Sequence, residues 1–276
     1  MNQTFASARF GRLLRKYWQE DKAGLTAALG TLFATQAATM FFLGYSAYPD
    51  SLQANRAIGF LSLSLIIWPL FTVAIASVYN KRDQGLSLFM VPASLFEKWL
   101  QLWLVSGLLF MVCFVGFFSL IDVFGTYYIN HKTWSAEELS YLSKNNIPRT
   151  VELFDYADLL RTPIWAVWVL LHPFSLAATL LFRKYPLIVG VGVGMTLFGG
   201  SFILNNQLVN VLLDDARPFQ AFPFADVWAY NNKLSVHGHY LTLPQPIGDI
   251  IRWGVGIAAV GLLYAVAYFR LKEREV

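Results

Sequence analysis

The stretch Asn80–Lys98 reads Asn-Lys-Arg-Asp-Gln-Gly-Leu-Ser-Leu-Phe-Met-Val-Pro-Ala-Ser-Leu-Phe-Glu-Lys and separates two long apolar runs. Charged residues flank a short apolar island, Leu86–Val91, too short to cross a bilayer. These residue types offer docking rather than bond-making. Gln84–Met90 suffices for a helix of barely two turns that presents Leu86, Ser87, Leu88, Phe89 and Met90 to a partner. Pro92 cannot continue that helix. Ser94 and Glu97 have capping-box spacing, which starts a new helix at Leu95 and places Glu97 and Lys98 in its first turn. A plain connector resting on the membrane surface accounts for the capping, but less well for a separate apolar helix.

Other constellations promise less. No Gly-x-x-x-x-Gly-Lys-Ser/Thr phosphate loop occurs. Gly190-Val-Gly-Val-Gly194 superficially resembles a dinucleotide loop, but it lies in an apolar run with no preceding strand. Gly190 and Gly194 are expected to form a small-residue helix-packing face, and Gly254 and Ala258 to do the same. His237 and His239 share one side of a strand-like stretch, His239–Leu243, and His131 is the only other histidine outside the apolar runs. With no cysteine ligand and no third ligand placed by spacing, no metal site is expected. No nucleophile–base constellation is present, so no catalytic residue is assigned. His172, beside Pro173, is expected to satisfy a carbonyl freed by the proline. Few polar residues fall in the apolar runs, and none there is acidic. That disfavours a proton- or sodium-coupled transporter.

The 276 residues are 56% hydrophobic and 14% charged, too apolar for a soluble domain of this size. The pattern predicts an all-α polytopic membrane protein, a single domain over 1–276. Six runs approach or exceed the roughly 20 residues a spanning helix needs: 24–46, 57–79, 99–121, 163–182, 186–204 and 250–269. An amphipathic helix over 6–18, with Phe10, Leu13, Leu14 and Tyr17 on one stripe, is expected to lie in the interface. Two sizeable loops, 122–162 and 205–249, connect the spans on the outer side. Ser135 and Glu138 predict a capped helix over 135–144, and a second helical stretch is expected over 151–161. Thirteen of the 21 basic residues fall on the side of the N-terminus, which predicts both termini in the cytosol. The net charge of +4 gives no reason to invoke nucleic acid. No cleavable signal peptide is expected. The single cysteine, Cys113, lies in the third run and has no partner for an intrachain disulfide.

The run Lys81-Arg82-Asp-Gln-Gly85 followed by Val91-Pro92-Ala93-Ser94-Leu95-Phe96-Glu97-Lys98 resembles the first cytosolic loop of type-2 ABC exporter permeases, in its Bacteroidetes-like form. The interfacial helix, the six spans and the large insertion between spans five and six fit the same layout. The 122–162 loop is longer than that family usually has. The resemblance implies a permease subunit in a bacterial inner membrane. Loop 80–98 would be its coupling helix, docked through Leu86, Ser87, Leu88, Phe89, Met90 and Pro92, with Glu97 and Lys98 positioning the next helix. It also implies a separate ABC ATPase subunit that binds ATP and magnesium, a second permease chain, identical or related, and surrounding membrane lipids. No cofactor is expected in this chain. The apolar spans suit a lipidic, peptidic or otherwise amphipathic substrate. The alternative is a non-transporting membrane scaffold whose outer loops bind a partner protein.

Overall fold

The computed structural model describes residues 5–45, 49–80, 90–157, 164–212, 216–220, 227–231, 239–241, 244 and 247–275. The chain divides into two compact units, one of residues 1–162 with 274–276, the other of residues 163–273.

The first unit begins with α1 (Ser7–Thr39), which runs on through a π turn, Met40–Tyr45. The expected interfacial helix and first span are thus one continuous helix. Gln19-Glu20-Asp21-Lys22-Ala23 contains no breaker that would separate them. Leu13, Leu25, Leu32 and Gln36 mark the buried side of α1. Helix α2 (Pro49–Ala76) ends in a 3-10 turn, Ser77–Asn80. Helix α3 (Leu95–Trp103) passes through a second π turn, Leu104–Leu109, into α4 (Phe110–Asn130). The wider turn has a use. Ser106 O accepts a hydrogen bond from the Trp68 indole N–H at 3.0 Å, which joins α2 to the π segment. Gln36 Nε2 likewise donates to Phe114 O at 3.1 Å.

The third predicted span, 99–121, falls short of the helix, which continues to Asn130. Residues 122–130 therefore belong to α4 and not to a loop. Helix α5 (Ala136–Lys144) forms where the Ser135–Glu138 spacing predicts it, with both capping-box hydrogen bonds present. The Ser135 N–H and the Lys132 ammonium hold the Glu138 carboxyl below the usual carboxylate range. The expected helix over 151–161 is not seen at residues 151–155, and residues 158–161 lie outside the described residues. Side chains of α4 instead fasten this segment along the helix: Asn130 Oδ1 accepts from the Val151 N–H and Asp122 Oδ2 from the Phe154 N–H, each at 2.8 Å. Phe154 and Tyr156 then pack with Phe60 and Phe118 in an aromatic core, with ring centroids 4.9–6.2 Å apart.

One glycine in this unit is required by a close approach. A Cβ at Gly125 would overlap the Tyr45 ring. Gly125→Ala is therefore expected to push Tyr45 away from Asp122 and to lower stability by about 1–3 kcal/mol, the usual cost of overpacking. Thermal unfolding of the purified variant measures this. Tyr45→Ala in the same chain should recover part of the loss, and an unchanged midpoint for Gly125→Ala would refute the packing.

The second unit opens with α6 (Ile164–Leu181) and α7 (Pro186–Leu212), joined by a tight turn in which Tyr185 has φ 52°. Pro186 then starts α7, where its missing N–H costs nothing. A Cβ at Gly190 would lie 3.1 Å from Ala178 Cβ, and one at Gly194 would lie 3.3 Å from the Phe174 ring. The small-residue face of α7 is thus where α6 approaches. His172 Nδ1 lies 2.8 Å from the Tyr264 hydroxyl, a cross-helix contact that the proline-based expectation did not include. Helix α7 extends eight residues past the fifth predicted span, to Leu212.

The segment expected as a loop over 205–249 also contains a three-stranded antiparallel sheet, so the fold is not purely α-helical. Strands β1 (Ala216–Gln220), β2 (Val227–Asn231) and β3 (His239–Leu241) lie in that order. Only the last coincides with the predicted strand-like stretch. Trp228 pairs with Tyr240, and the β1–β2 register shifts between Pro218 and Gln220, since a proline in a strand favours a bulge. Helix α8 (Ile247–Glu275) completes the unit.

Five helices among the described residues are long and apolar enough to cross a membrane: Ser7–Leu43, Ser51–Asn80, Leu95–Asn130, Pro186–Leu208 and Trp253–Arg274. The fourth predicted span, 163–182, is represented by a shorter apolar helix, Val167–Leu181. Large apolar side chains such as Phe42, Ile66, Val112, Ile188 and Ile257 stand exposed along these helices. Apolar surface on that scale has no stable place in water. The architecture is that of a helical membrane protein.

Candidate functional site

The sequence motif at residues 92–98 folds around Glu97. Pro92 is exposed, and the chain turns there, with the Ala93 N–H donating to Val91 O at 2.7 Å. Ser94 is extended, which makes it the N-cap of α3. Its hydroxyl accepts from the Glu97 N–H at 3.3 Å, and its own N–H donates to Glu97 Oε2 at 2.8 Å. The capping box read from the spacing is therefore formed.

The Glu97 carboxylate does more than cap its own helix. Arg9 donates to it twice, from Nε to Oε2 at 2.7 Å and from Nη2 to Oε1 at 2.8 Å. The Ala6 N–H donates to Oε1 at 2.9 Å. Each oxygen thus accepts two hydrogen bonds, and the side chain is fully buried. Ala6 is the N-cap of α1, and neither a capping side chain nor an acidic residue in the first turn serves that end. Glu97 supplies the missing negative charge from another helix, where the helix dipole favours it. Apolar contacts seal the junction. Phe5, just before the α1 cap, packs on Phe10 at 5.8 Å as a hydrophobic staple and meets Phe96 edge-on at 6.2 Å. Lys98 is buried next to Glu97 on α3.

The expected docking residues therefore separate into two groups. Glu97 and Lys98 are internal anchors. Met90, 83% exposed, and Pro92 face outward at the end of the loop. Leu86, Ser87, Leu88 and Phe89, together with Lys81, Arg82 and Gly85, lie outside the described residues.

A second polar centre was not foreseen. Arg56 on α2 and Asp122 on α4 form a buried ion pair, Nη1 to Oδ1 at 2.8 Å. Tyr45 OH lies 3.1 Å from Asp122 Oδ1, and the Phe154 N–H donates to Oδ2. Arg56 Nη2 donates to Gln53 Oε1 at 2.9 Å and to Glu152 O at 3.0 Å. One carboxylate and one guanidinium so gather the end of α1, the start of α2, the second half of α4 and the segment at 152–154. Read linearly, these residues were an outer-loop cation and the first residue of a loop. The available signal was that opposite charges flank the facing ends of two antiparallel neighbours.

Among the described residues no group of three or more His, Cys, Asp or Glu side chains is placed to hold a metal ion. His131 stacks on Tyr127 with ring centroids 4.1 Å apart, and His237 lies outside the described residues. The chain matches no protein-family model, no curated protein and no solved structure.

Proposed function

We propose that this chain is the membrane-spanning permease subunit of an ATP-driven exporter, coupled to a separate ATPase subunit through residues 80–98. The observation that carries this reading is the Glu97 anchor. A loop that receives force from a partner must hand it to more than one helix. Glu97 joins the exit of this loop to the starts of both α3 and α1. A displacement of the loop would move the two helices together and bias the spans between inward- and outward-open arrangements. The resemblance of residues 81–98 to the coupling loop of type-2 ABC permeases supports the same reading.

In this scheme ATP and magnesium bind the partner, since the sequence carries no phosphate loop of its own. A second permease chain completes the pathway, and the substrate is lipidic, peptidic or otherwise amphipathic. The basic-residue distribution supports both termini in the cytosol, and the family resemblance implies a bacterial inner membrane.

Phe89 is the expected anchor of the docking island, because buried aromatic residues dominate interfaces. Phe89→Ala is expected to weaken ATPase association by on the order of 2 kcal/mol. Phe89→Asp should abolish it by burying an unpaired charge. Both variants should insert and express normally, as Phe89 falls outside every apolar run. The measurement is the yield of co-purified ATPase and the ATPase rate of the complex. Full activity in Phe89→Asp rules this reading out and leaves the membrane scaffold.

A further inference from the structure

A cavity of about 430 Å³ opens in the first unit between α1, the end of α2 and the end of α3. Along α1 its lining is mixed: Lys16, Glu20 and Asp21 stand between Leu13 and Leu25, with Phe71 and Ile75 contributed by α2. The volume is in the range of small-molecule sites. Charge set beside hydrocarbon in one cavity suits an amphiphile rather than a uniformly apolar chain.

Two observations specify its head. Lys16 and Glu20 pair across one helical turn at 3.7 Å, which leaves the Asp21 carboxylate as the excess charge in the lining. Gln101 also lines the cavity, is only 5% exposed, and its Oε1 has no hydrogen-bond partner among the described residues. A buried carbonyl oxygen of this kind is costly until a donor reaches it. The site therefore asks for a group that is positively charged and carries N–H donors.

We propose that this cavity binds a phospholipid whose headgroup ends in a primary ammonium. The ammonium donates to Gln101 Oε1 and neutralises the excess charge of Asp21. The phosphate lies toward Lys16, and the upper part of an acyl chain occupies the space lined by Leu25, Phe71 and Ile75. A quaternary trimethylammonium head carries the same charge but no N–H, so it leaves Gln101 unsatisfied. A glycerol head has hydroxyl donors but no positive charge. The proposal stands independently of the exporter reading.

The test uses the purified full-length chain, equilibrated with equal amounts of acyl-matched phosphatidylethanolamine, phosphatidylcholine and phosphatidylglycerol. Retained lipid is then counted by native mass spectrometry. Severalfold enrichment of phosphatidylethanolamine over both others is expected. Gln101→Leu should lower its retention to the phosphatidylcholine level, and Asp21→Asn should weaken it. Folding is checked by thermal unfolding with and without phosphatidylethanolamine. Gln101→Leu removes the orphaned oxygen, so without lipid the variant should unfold no lower than the parent. Added phosphatidylethanolamine should raise the midpoint of the parent but not of the variant. Retained lipid that mirrors the bulk mixture overturns the proposal. So does a Gln101→Leu protein that keeps both the enrichment and the lipid-dependent shift.

Discussion

Asp122→Ala is expected to destabilise the chain by about 3–5 kcal/mol, the cost of stripping one partner from a buried ion pair. Asp122 and Arg56 are 3% and 1% exposed. Without the carboxylate, the Arg56 guanidinium keeps only neutral partners, Gln53, Thr126 and the Glu152 carbonyl, and its charge is left buried without a counter-charge. The Phe154 N–H loses its acceptor as well, so the 151–157 segment should detach from the aromatic core around Phe60 and Phe118. Replacing both charges, Arg56→Met with Asp122→Leu, should recover much of the stability, since desolvation opposes the pair while both charges are present. Denaturant or thermal unfolding of the purified variants measures both effects. A single Asp122→Ala variant within about 0.5 kcal/mol of the parent, the range of an ordinary surface substitution, would show that the pair does not hold these helices together.

The second large effect is expected at Glu97. Glu97→Ala removes four hydrogen bonds at once, two to the Arg9 guanidinium and one each to the backbone of Ala6 and Ser94. Loss of the cap and of a buried acceptor for two N–H groups should cost about 2 kcal/mol or more. Arg9→Ala should cost less, because a quarter of the Arg9 side chain is exposed and the capping box survives without it. The functional consequence is larger than the energetic one if Glu97 transmits motion. On the exporter function proposed above, the Glu97→Ala chain should still bind an ATPase through residues 86–92, yet ATP hydrolysis should no longer drive transport. Cysteines placed at positions 5 and 96, whose native rings meet edge-on, should then be joined by a thiol cross-linker more slowly than in the parent. Unchanged transport with unchanged cross-linking would remove Glu97 from the coupling route and leave it as a helix cap alone.

The sequence by itself determined the class of molecule and most of its local signals. The apolar runs were legible because hydrocarbon solvent requires about 20 consecutive apolar residues, a constraint that acts within one segment. Both capping boxes were legible for a similar reason: Ser94 with Glu97, and Ser135 with Glu138, act over three residues. The small-residue spacing of Gly190 and Gly194 was equally local. Helix ends were less legible, since α4 and α7 run beyond their apolar windows into residues whose hydropathy no longer marks a span. Only the tertiary structure decided which carboxylate meets which cation. Arg9 and Glu97 are 88 residues apart in sequence, and Arg56 and Asp122 are 66 apart. No periodicity links positions so distant. Their pairing depends on the register in which α1, α2 and the α3–α4 helix lie side by side. That register is set by contacts such as Phe60 on Phe114 and Trp68 on the Ser106 carbonyl, which exist only once the helices have packed.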